Sequence, residues 1–249
     1  MMAKGNKPGL LDGCNLTCQG GDVLISESFT VSFKADKDKV DVVKPGGDDA
    51  AFSLTVIKSP SGAGKSTFLN QVNAYINGDT ASQATKFELR PTHRKVAVGF
   101  IPQNPPMVNH WCVRSILPVN TCFDKCFFDD PADDFTDRHM GDFSGGQGLK
   151  LYAWSALERL ALCEAKSVFL LLDETFDGIG AEEAVSRIAK MKTRWIDTFE
   201  SLRSLHVLLI THLAQSAFSG ATNLSLAVDK DETDCLTVVL KNGTGINDD

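Results

Sequence analysis

The run Ser59-Pro60-Ser61-Gly62-Ala63-Gly64-Lys65-Ser66-Thr67 constrains the fold of this chain more than any other stretch. Before it, Phe52, Leu54 and Val56 alternate as on a strand. After it, Phe68, Leu69, Val72, Tyr75 and Ile76 share one helical face, and Asn77-Gly78 stops the helix. Strand, glycine loop, Lys-Ser, helix is the context in which this pattern cradles phosphate. The glycines let backbone N–H groups approach phosphate oxygens, and the helix N-terminus favours negative charge. Lys65 is then placed to reach β- and γ-phosphates, and the Ser66 hydroxyl to hold Mg2+. The first glycine of the pattern is replaced by Ser59, and serine resists positive φ more than glycine does.

A chain of 249 residues holds one large domain, or a domain with subdomains. A net charge of -7 gives no bulk electrostatic reason to expect nucleic acid as a partner. No apolar run approaches the ~18 residues that span a bilayer. Met1-Met2-Ala3-Lys4-Gly5 lacks the apolar region of a signal peptide, so the expected compartment is the cytosol. Seven cysteines include two C-x-x-x-C spacings, Cys14 with Cys18 and Cys122 with Cys126. An odd count in a cytosolic chain, without matching histidines, favours reduced thiols over a disulfide or a zinc site.

Residues 1–20 read as loosely structured. Two strands follow, one on Val23, Leu24 and Ile25 and one on Phe29, Val31 and Phe33. Residues 34–49, rich in Lys, Asp, Gly and Pro, read as a solvated hairpin tip or long loop, and residues 78–95 as polar and turn-rich. Val96, Val98, Phe100 and Ile101 form a strand that runs into Gln103. Residues 111–117 suit a short helix, while 118–142 match no single element. Asp142-Phe143-Ser144-Gly145-Gly146-Gln147 precedes a helical apolar pattern that includes Leu149, Trp154, Leu157 and Leu160. Ser-Gly-Gly there is either a second anion-binding helix N-terminus or a plain capping turn. Residues 168–172 form a continuous apolar strand that ends in Asp173-Glu174. Adjacent carboxylates at a strand end, in a chain with a phosphate loop, suit a metal and a water. Asp173 would hold Mg2+ and Glu174 would orient or deprotonate the attacking water. An amphipathic helix through Ala184, Ile188, Met191, Trp195 and Phe199 follows. A buried strand over 207–210 runs into Thr211-His212, and strands over 224–228 and 236–240 close the chain.

Taken together, the phosphate loop, Gln103, Ser144-Gly145-Gly146-Gln147, Asp173-Glu174 and Thr211-His212 resemble, in this order, the ATP-binding-cassette (ABC) family of ATPases over roughly residues 22–215. The resemblance implies an α/β fold. It comprises a P-loop NTPase core with a mostly parallel sheet and flanking helices, an N-terminal antiparallel β subdomain and a short helical subdomain. The implied division of residues 1–249 is a core with β subdomain over 22–103 and 165–249, and a helical subdomain over 104–164.

The resemblance also assigns roles. Residues Ser59, Pro60, Ser61, Gly62, Ala63, Gly64, Lys65, Ser66 and Thr67 bind the phosphates of ATP. Gln103 senses Mg2+ and the γ-phosphate, Ser66 and Asp173 complete the metal set, Glu174 is the catalytic carboxylate, and His212 is the switch that contacts the γ-phosphate. Ser144, Gly145, Gly146 and Gln147 match the signature motif, with Phe143 where leucine is usual. In this family the signature of one subunit meets the ATP held by the other. The implied assembly is therefore a head-to-tail pair with a second ABC ATPase subunit, as homodimer or heterodimer. Three departures stand out. Gly180 replaces the aspartate that the family places in the loop after the catalytic glutamate, with Asp177 as the candidate substitute. Gly148 stands where the signature often continues with a polar or basic residue. Residues 17–20 offer no aromatic for stacking adenine.

The resemblance leads first to the ATPase subunit of a membrane transporter, held on the inner face of the membrane by a permease partner, with no nucleic acid involved. The alternative is a soluble ABC-type ATPase of DNA repair, chromosome or translation processes.

Overall fold

The computed structural model describes residues 15–18, 21–26, 29–35, 40–43, 51–78, 87–90, 95–106, 108–119, 121–129, 136–200, 202–230 and 236–242. Among the described residues the strands are β1 (Asn15–Cys18), β2 (Gly21–Ser26), β3 (Phe29–Ala35), β4 (Val40–Val43), β5 (Phe52–Lys58), β6 (Phe87–Arg90), β7 (Val96–Ile101), β8 (Ser167–Asp173), β9 (Ser204–Ile210), β10 (Thr222–Lys230) and β11 (Leu236–Asn242). The helices are α1 (Lys65–Ile76), α2 (Val113–Ile116), α3 (Asp124–Phe127), α4 (Gly145–Leu162) and α5 (Ala181–Phe199).

Eight strands form one sheet in the order β2-β3-β11-β10-β5-β9-β8-β7. From β10 to β7 all neighbours are parallel. At the other edge β10 with β11 and β2 with β3 are antiparallel, and β11 with β3 is parallel. Strands β8 and β9 are buried at every residue, as expected where both faces of a parallel sheet are covered.

The alternation of side chains divides the core in two. Val168, Leu170 and Leu172 of β8 and Leu205, Val207 and Leu209 of β9 face Trp154 and Leu157 of α4 and Ile188, Met191 and Trp195 of α5. Phe169, Leu171, Leu208 and Ile210 face the other way, onto Phe68, Leu69 and Val72 of α1. Each of these three α1 side chains is fully buried, which stabilises the fold by about 1.5–3 kcal/mol apiece. Helices α1 and α4 therefore lie on opposite faces of the sheet.

The helical segment after β7 shares the α4–α5 core rather than building its own. Val113, Ile116, Phe123, Phe127 and Met140 belong to that cluster. Glu158, buried on α4, accepts hydrogen bonds at Oε1 from the backbone N–H groups of Cys122 and Phe123 and from Trp154 Nε1. The buried guanidinium of Arg187 on α5 donates to both oxygens of Asp129, and this holds the Asp129 carboxyl down at about 2. Arg203 closes α4 by donating to the carbonyls of Leu160 and Ala161 in its last turn, and to that of Ala165 just beyond it.

Three sequence expectations are corrected here. Within residues 1–20, 34–49 and 78–95 lie β1, β4 and β6, which form a separate antiparallel sheet in the order β4-β1-β6. Each is only four residues long, so local periodicity is too short to announce it. Their partners lie far off in the chain. Val42 is fully buried in the α1-side core, and its carbonyl accepts from the Thr55 hydroxyl of β5 at 2.7 Å. The rest of these readings, at 1–14, 19–20, 36–39, 44–49, 79–86 and 91–94, lies outside the described residues. No helix among the described residues is long and apolar enough to cross a membrane.

His206 sits inside β9, 1% exposed, bonded at Nδ1 to the Ser53 hydroxyl at 2.8 Å and at Nε2 to the Ser204 hydroxyl at 3.0 Å. Burial pushes its pKa down from 6.5 to about 4. A depressed histidine gives stability that is present above pH 6.5 and lost as pH falls through 4, because the unfolded chain takes up the proton first. The total is about 3 kcal/mol. Denaturant titrations are expected to show the parent losing this amount, relative to His206→Asn, between pH 6.5 and 4. Parallel stability curves for the two proteins would contradict it.

Candidate active site

The parallel strands place their C-terminal ends at one edge of the sheet. There β5 runs into the phosphate loop, β7 into Gln103, β8 into Asp173-Glu174 and β9 into Thr211-His212. This is the edge of an open α/β sheet where ligands collect.

In the phosphate loop, Gly62 and Gly64 have φ of 79° and 82°, the left-handed region that glycine enters without strain. Gly64 caps α1 in that conformation, and Lys65 is its first residue. The Lys65 ammonium is buried against the loop itself, donating to the carbonyl of Ser59 at 2.9 Å and of Pro60 at 3.3 Å. Ser59 is not strained: among the described non-glycine residues, only Glu174 and Glu200 have positive φ. Its hydroxyl accepts from the Leu226 N–H of β10 and donates to the Lys58 carbonyl, so the departure from glycine ties the loop to the next strand.

Asp173 is 1% exposed, and its Oδ1 has no hydrogen-bond partner. Burial raises its pKa and the charge of Glu174 adds to this, while hydrogen bonds from Ser66 and the Gln103 backbone and the charge of Lys65 oppose it. A buried carboxylate oxygen without a partner, next to a serine hydroxyl, is a hard-oxygen donor set that fits Mg2+.

Glu174 has φ of 53°, a backbone conformation costly for a side-chain-bearing residue and typical of sites where function overrides it. Its N–H donates to the Ile210 carbonyl at 3.0 Å, which fastens the ends of β8 and β9 together. One carboxylate oxygen accepts from Gln103 Nε2, and the other lies 3.0 Å from His212 Nε2. The carboxylate is thus held from both sides beside the phosphate loop. It is placed to take a proton from a water aimed at a bound phosphate.

No protein-family model matches the sequence, and no curated protein matches it. Solved structures do match. A bacterial ABC transporter cassette, solved as a dimer, aligns over 93% of this chain and 97% of its own, with a TM-score of 0.55 and 13% identity. A protein described as RNase-L inhibitor aligns over 91% of this chain, with a TM-score of 0.56 and 18% identity. An archaeal ribosome recycling factor, solved in complex with a ribosomal stalk protein, aligns over 95%, with a TM-score of 0.57 and 18% identity. The chain spans 39% and 41%, about two fifths, of the last two. The fold is that of an ATP-binding cassette.

Within the cassette, the site residues expected from sequence separate into two groups. Ser59–Thr67, Gln103, Asp173, Glu174 and His212 gather at the strand ends. Ser144, Gly145, Gly146 and Gln147 sit apart, at the N-terminus of α4 on the opposite sheet face from α1, and all four are exposed. Ser144 and Gln147 form a reciprocal cap. The Gln147 N–H reaches the Ser144 hydroxyl at 3.4 Å, and the Ser144 N–H reaches Gln147 Oε1 at 3.0 Å. No neighbour lies within 4 Å of where a Cβ would stand on Gly145 or Gly146, so open space surrounds this helix start.

Asp177 is the residue that the sequence offers only as a candidate substitute for the aspartate missing at Gly180. In the structure its carboxylate engages its own chain. One oxygen accepts from the Thr211 hydroxyl and the other from the His212 N–H at 3.0 Å. The signal in the sequence is a short acidic residue three positions after Glu174, where a turn returns it to the strand end. Cys122 and Cys126 are free thiols, and burial pushes Cys126 up to about 12, which disfavours the thiolate that a metal requires.

Proposed function

We propose that the chain binds ATP with Mg2+ and hydrolyses it as one half of a head-to-tail pair of cassettes, and that this cycle powers a transporter through a permease partner. The observation that carries the hydrolytic reading is the Glu174 carboxylate held between Gln103 and His212 beside the phosphate loop. In this reading the loop amides and Lys65 hold the phosphates, exchanging the Ser59 and Pro60 carbonyls for phosphate oxygens. Ser66 and Asp173 hold the metal, which when bound neutralises charge on the phosphate oxygens. Glu174 orients and deprotonates the water, and His212 contacts the γ-phosphate. The exposed α4 N-terminus supports the two-chain reading, since helix-end N–H groups without partners suit a phosphate brought by another subunit.

The dimeric bacterial transporter cassette, matched over nearly its whole length, favours the transport reading. The place of action would then be the cytoplasmic face of a membrane, reached through the permease. Exposed Trp111 and Val119 on the helical segment support a protein partner there. The likeness to the archaeal ribosome recycling factor, solved with a ribosomal stalk protein, favours the alternative, a soluble ABC-type ATPase of translation, DNA repair or chromosome processes. The test is a pull-down with Glu174→Gln protein held in ATP from detergent-solubilised cells. Recovery of a polytopic membrane protein is expected. Recovery of only soluble proteins or nucleic acid would replace transport with the alternative.

A further inference from the structure

We infer that Asp177 is a positioning residue: it fixes His212 against Glu174 within one chain, so that the pair is arranged before any second cassette arrives. This rests on the function proposed above.

The argument starts at the end of β9. Beyond Ile210 the strand loses its regular partners, and the Thr211 N–H reaches the Ile57 carbonyl only at 3.4 Å. The His212 side chain is 51% exposed, so packing does not hold its ring. What holds this corner is the carboxylate of Asp177, which engages the Thr211 hydroxyl and the His212 N–H at once. Thr211 is fully buried, and its oxygen also accepts from the Leu213 N–H at 3.1 Å. Hydrogen bonds to an ionised acceptor are stronger than neutral ones, and here one partner is out of water.

Asp177 is itself tied to the catalytic carboxylate. Glu174 takes the left-handed conformation, the chain turns, and the Asp177 N–H donates back to the Glu174 carbonyl at 3.2 Å. Phe176, fully buried within the turn, stacks on Phe127 with ring centroids 6.5 Å apart. The path closes on itself: Glu174, the turn, Asp177, the His212 backbone, the His212 ring, and Glu174 again at 3.0 Å. A closed path of this kind sets the distance between a proton acceptor and a phosphate contact, and small misplacement of such groups lowers turnover without touching binding.

The experiment compares the parent protein with Asp177→Ala, Asp177→Asn, Thr211→Val, His212→Ala and the double variant Asp177→Ala with His212→Ala, under MgATP turnover. Asp177→Ala is expected to lower kcat by on the order of 10- to 100-fold with KM changed less than about threefold. Asp177→Asn, which weakens one bond, and Thr211→Val, which keeps the local shape but takes the hydroxyl from both Asp177 and the Leu213 N–H, should fall between it and the parent. Adding Asp177→Ala to His212→Ala should cost no further rate, because the two act as one unit. Parent-like turnover in Asp177→Ala, or losses that multiply in the double variant, would overturn the inference. A second readout is the ring-nitrogen NMR signal of His212 in nucleotide-free, 15N-histidine-labelled protein, assigned by its loss in His212→Ala. The hydrogen-bonded Nε2 signal of the parent should revert to that of a free imidazole in Asp177→Asn or Asp177→Ala. An unchanged signal would refute the positioning role. A parent that binds and turns over no ATP would refute the proposed function instead, and the NMR signal alone would then decide the role of Asp177.

Discussion

Replacing Glu174 with glutamine is expected to cut MgATP turnover about a thousandfold while MgATP binding stays close to that of the parent. Glutamine keeps the size of the side chain and can adopt the same turn. It keeps one acceptor oxygen but cannot take up a proton. In the parent, the two carboxylate oxygens face Gln103 Nε2 and His212 Nε2. The amide can accept from one of these, so geometry at the phosphate loop, which lies on a different strand end, is left alone. General-base contributions run from about a hundredfold to ten-thousandfold, which sets the scale. Single-turnover hydrolysis with equilibrium binding separates the two effects, and analytical ultracentrifugation of Glu174→Gln in ATP should show a dimer. Parent-like hydrolysis by this variant would remove Glu174 from the chemistry.

Asp173→Asn is expected to act in two opposite directions. Mg2+-dependent turnover should fall by on the order of a hundredfold or more, because the carboxylate proposed to hold the metal is lost. The metal-free protein, however, should melt at a higher temperature than the parent. Asp173 is buried with one oxygen unpartnered, and its folded-state pKa is raised, chiefly by burial. A raised carboxylate pKa means that ionisation costs fold stability above the unfolded value, and the cost is relieved as pH falls through the folded value. The neutral amide removes that cost. Thermal melts in chelator should therefore show a gap between the two proteins that closes toward acid pH, and that narrows when Mg2+ is added to the parent. A lower melting temperature for Asp173→Asn in chelator would mean that the carboxylate is held for structure rather than for a cation.

How far the sequence was readable follows from where each residue sits. Gln103, Asp173, Glu174 and His212 stand at the ends of apolar strands, and an apolar run with a polar stop is visible in one dimension. The same holds for α1, whose apolar face and glycine boundaries bracket it. The small sheet β4-β1-β6 was hidden because its four-residue strands pair across long separations in the chain, with a register shift between Leu16 and Thr17. Ser59 looked like a strained substitute for glycine; the partner that explains it is an N–H on a distant strand, which no local pattern encodes. The intrachain contact of Asp177 was hidden for a related reason. Its spacing from Glu174 was plain, but whether a carboxylate faces its own chain or another depends on the turn, and the turn depends on the conformation of Glu174.

The Ser59 tether has a mechanical consequence. A glycine at that position would leave the phosphate loop hinged only on β5 and α1. The serine hydroxyl adds a third attachment, to Leu226, 167 residues later in the chain. Strand β10 in turn pairs along its length with β11. The resting shape of the phosphate loop is therefore braced by β10 twice, through its pairing with β5 up to Lys58 and through the Ser59 hydroxyl beyond it.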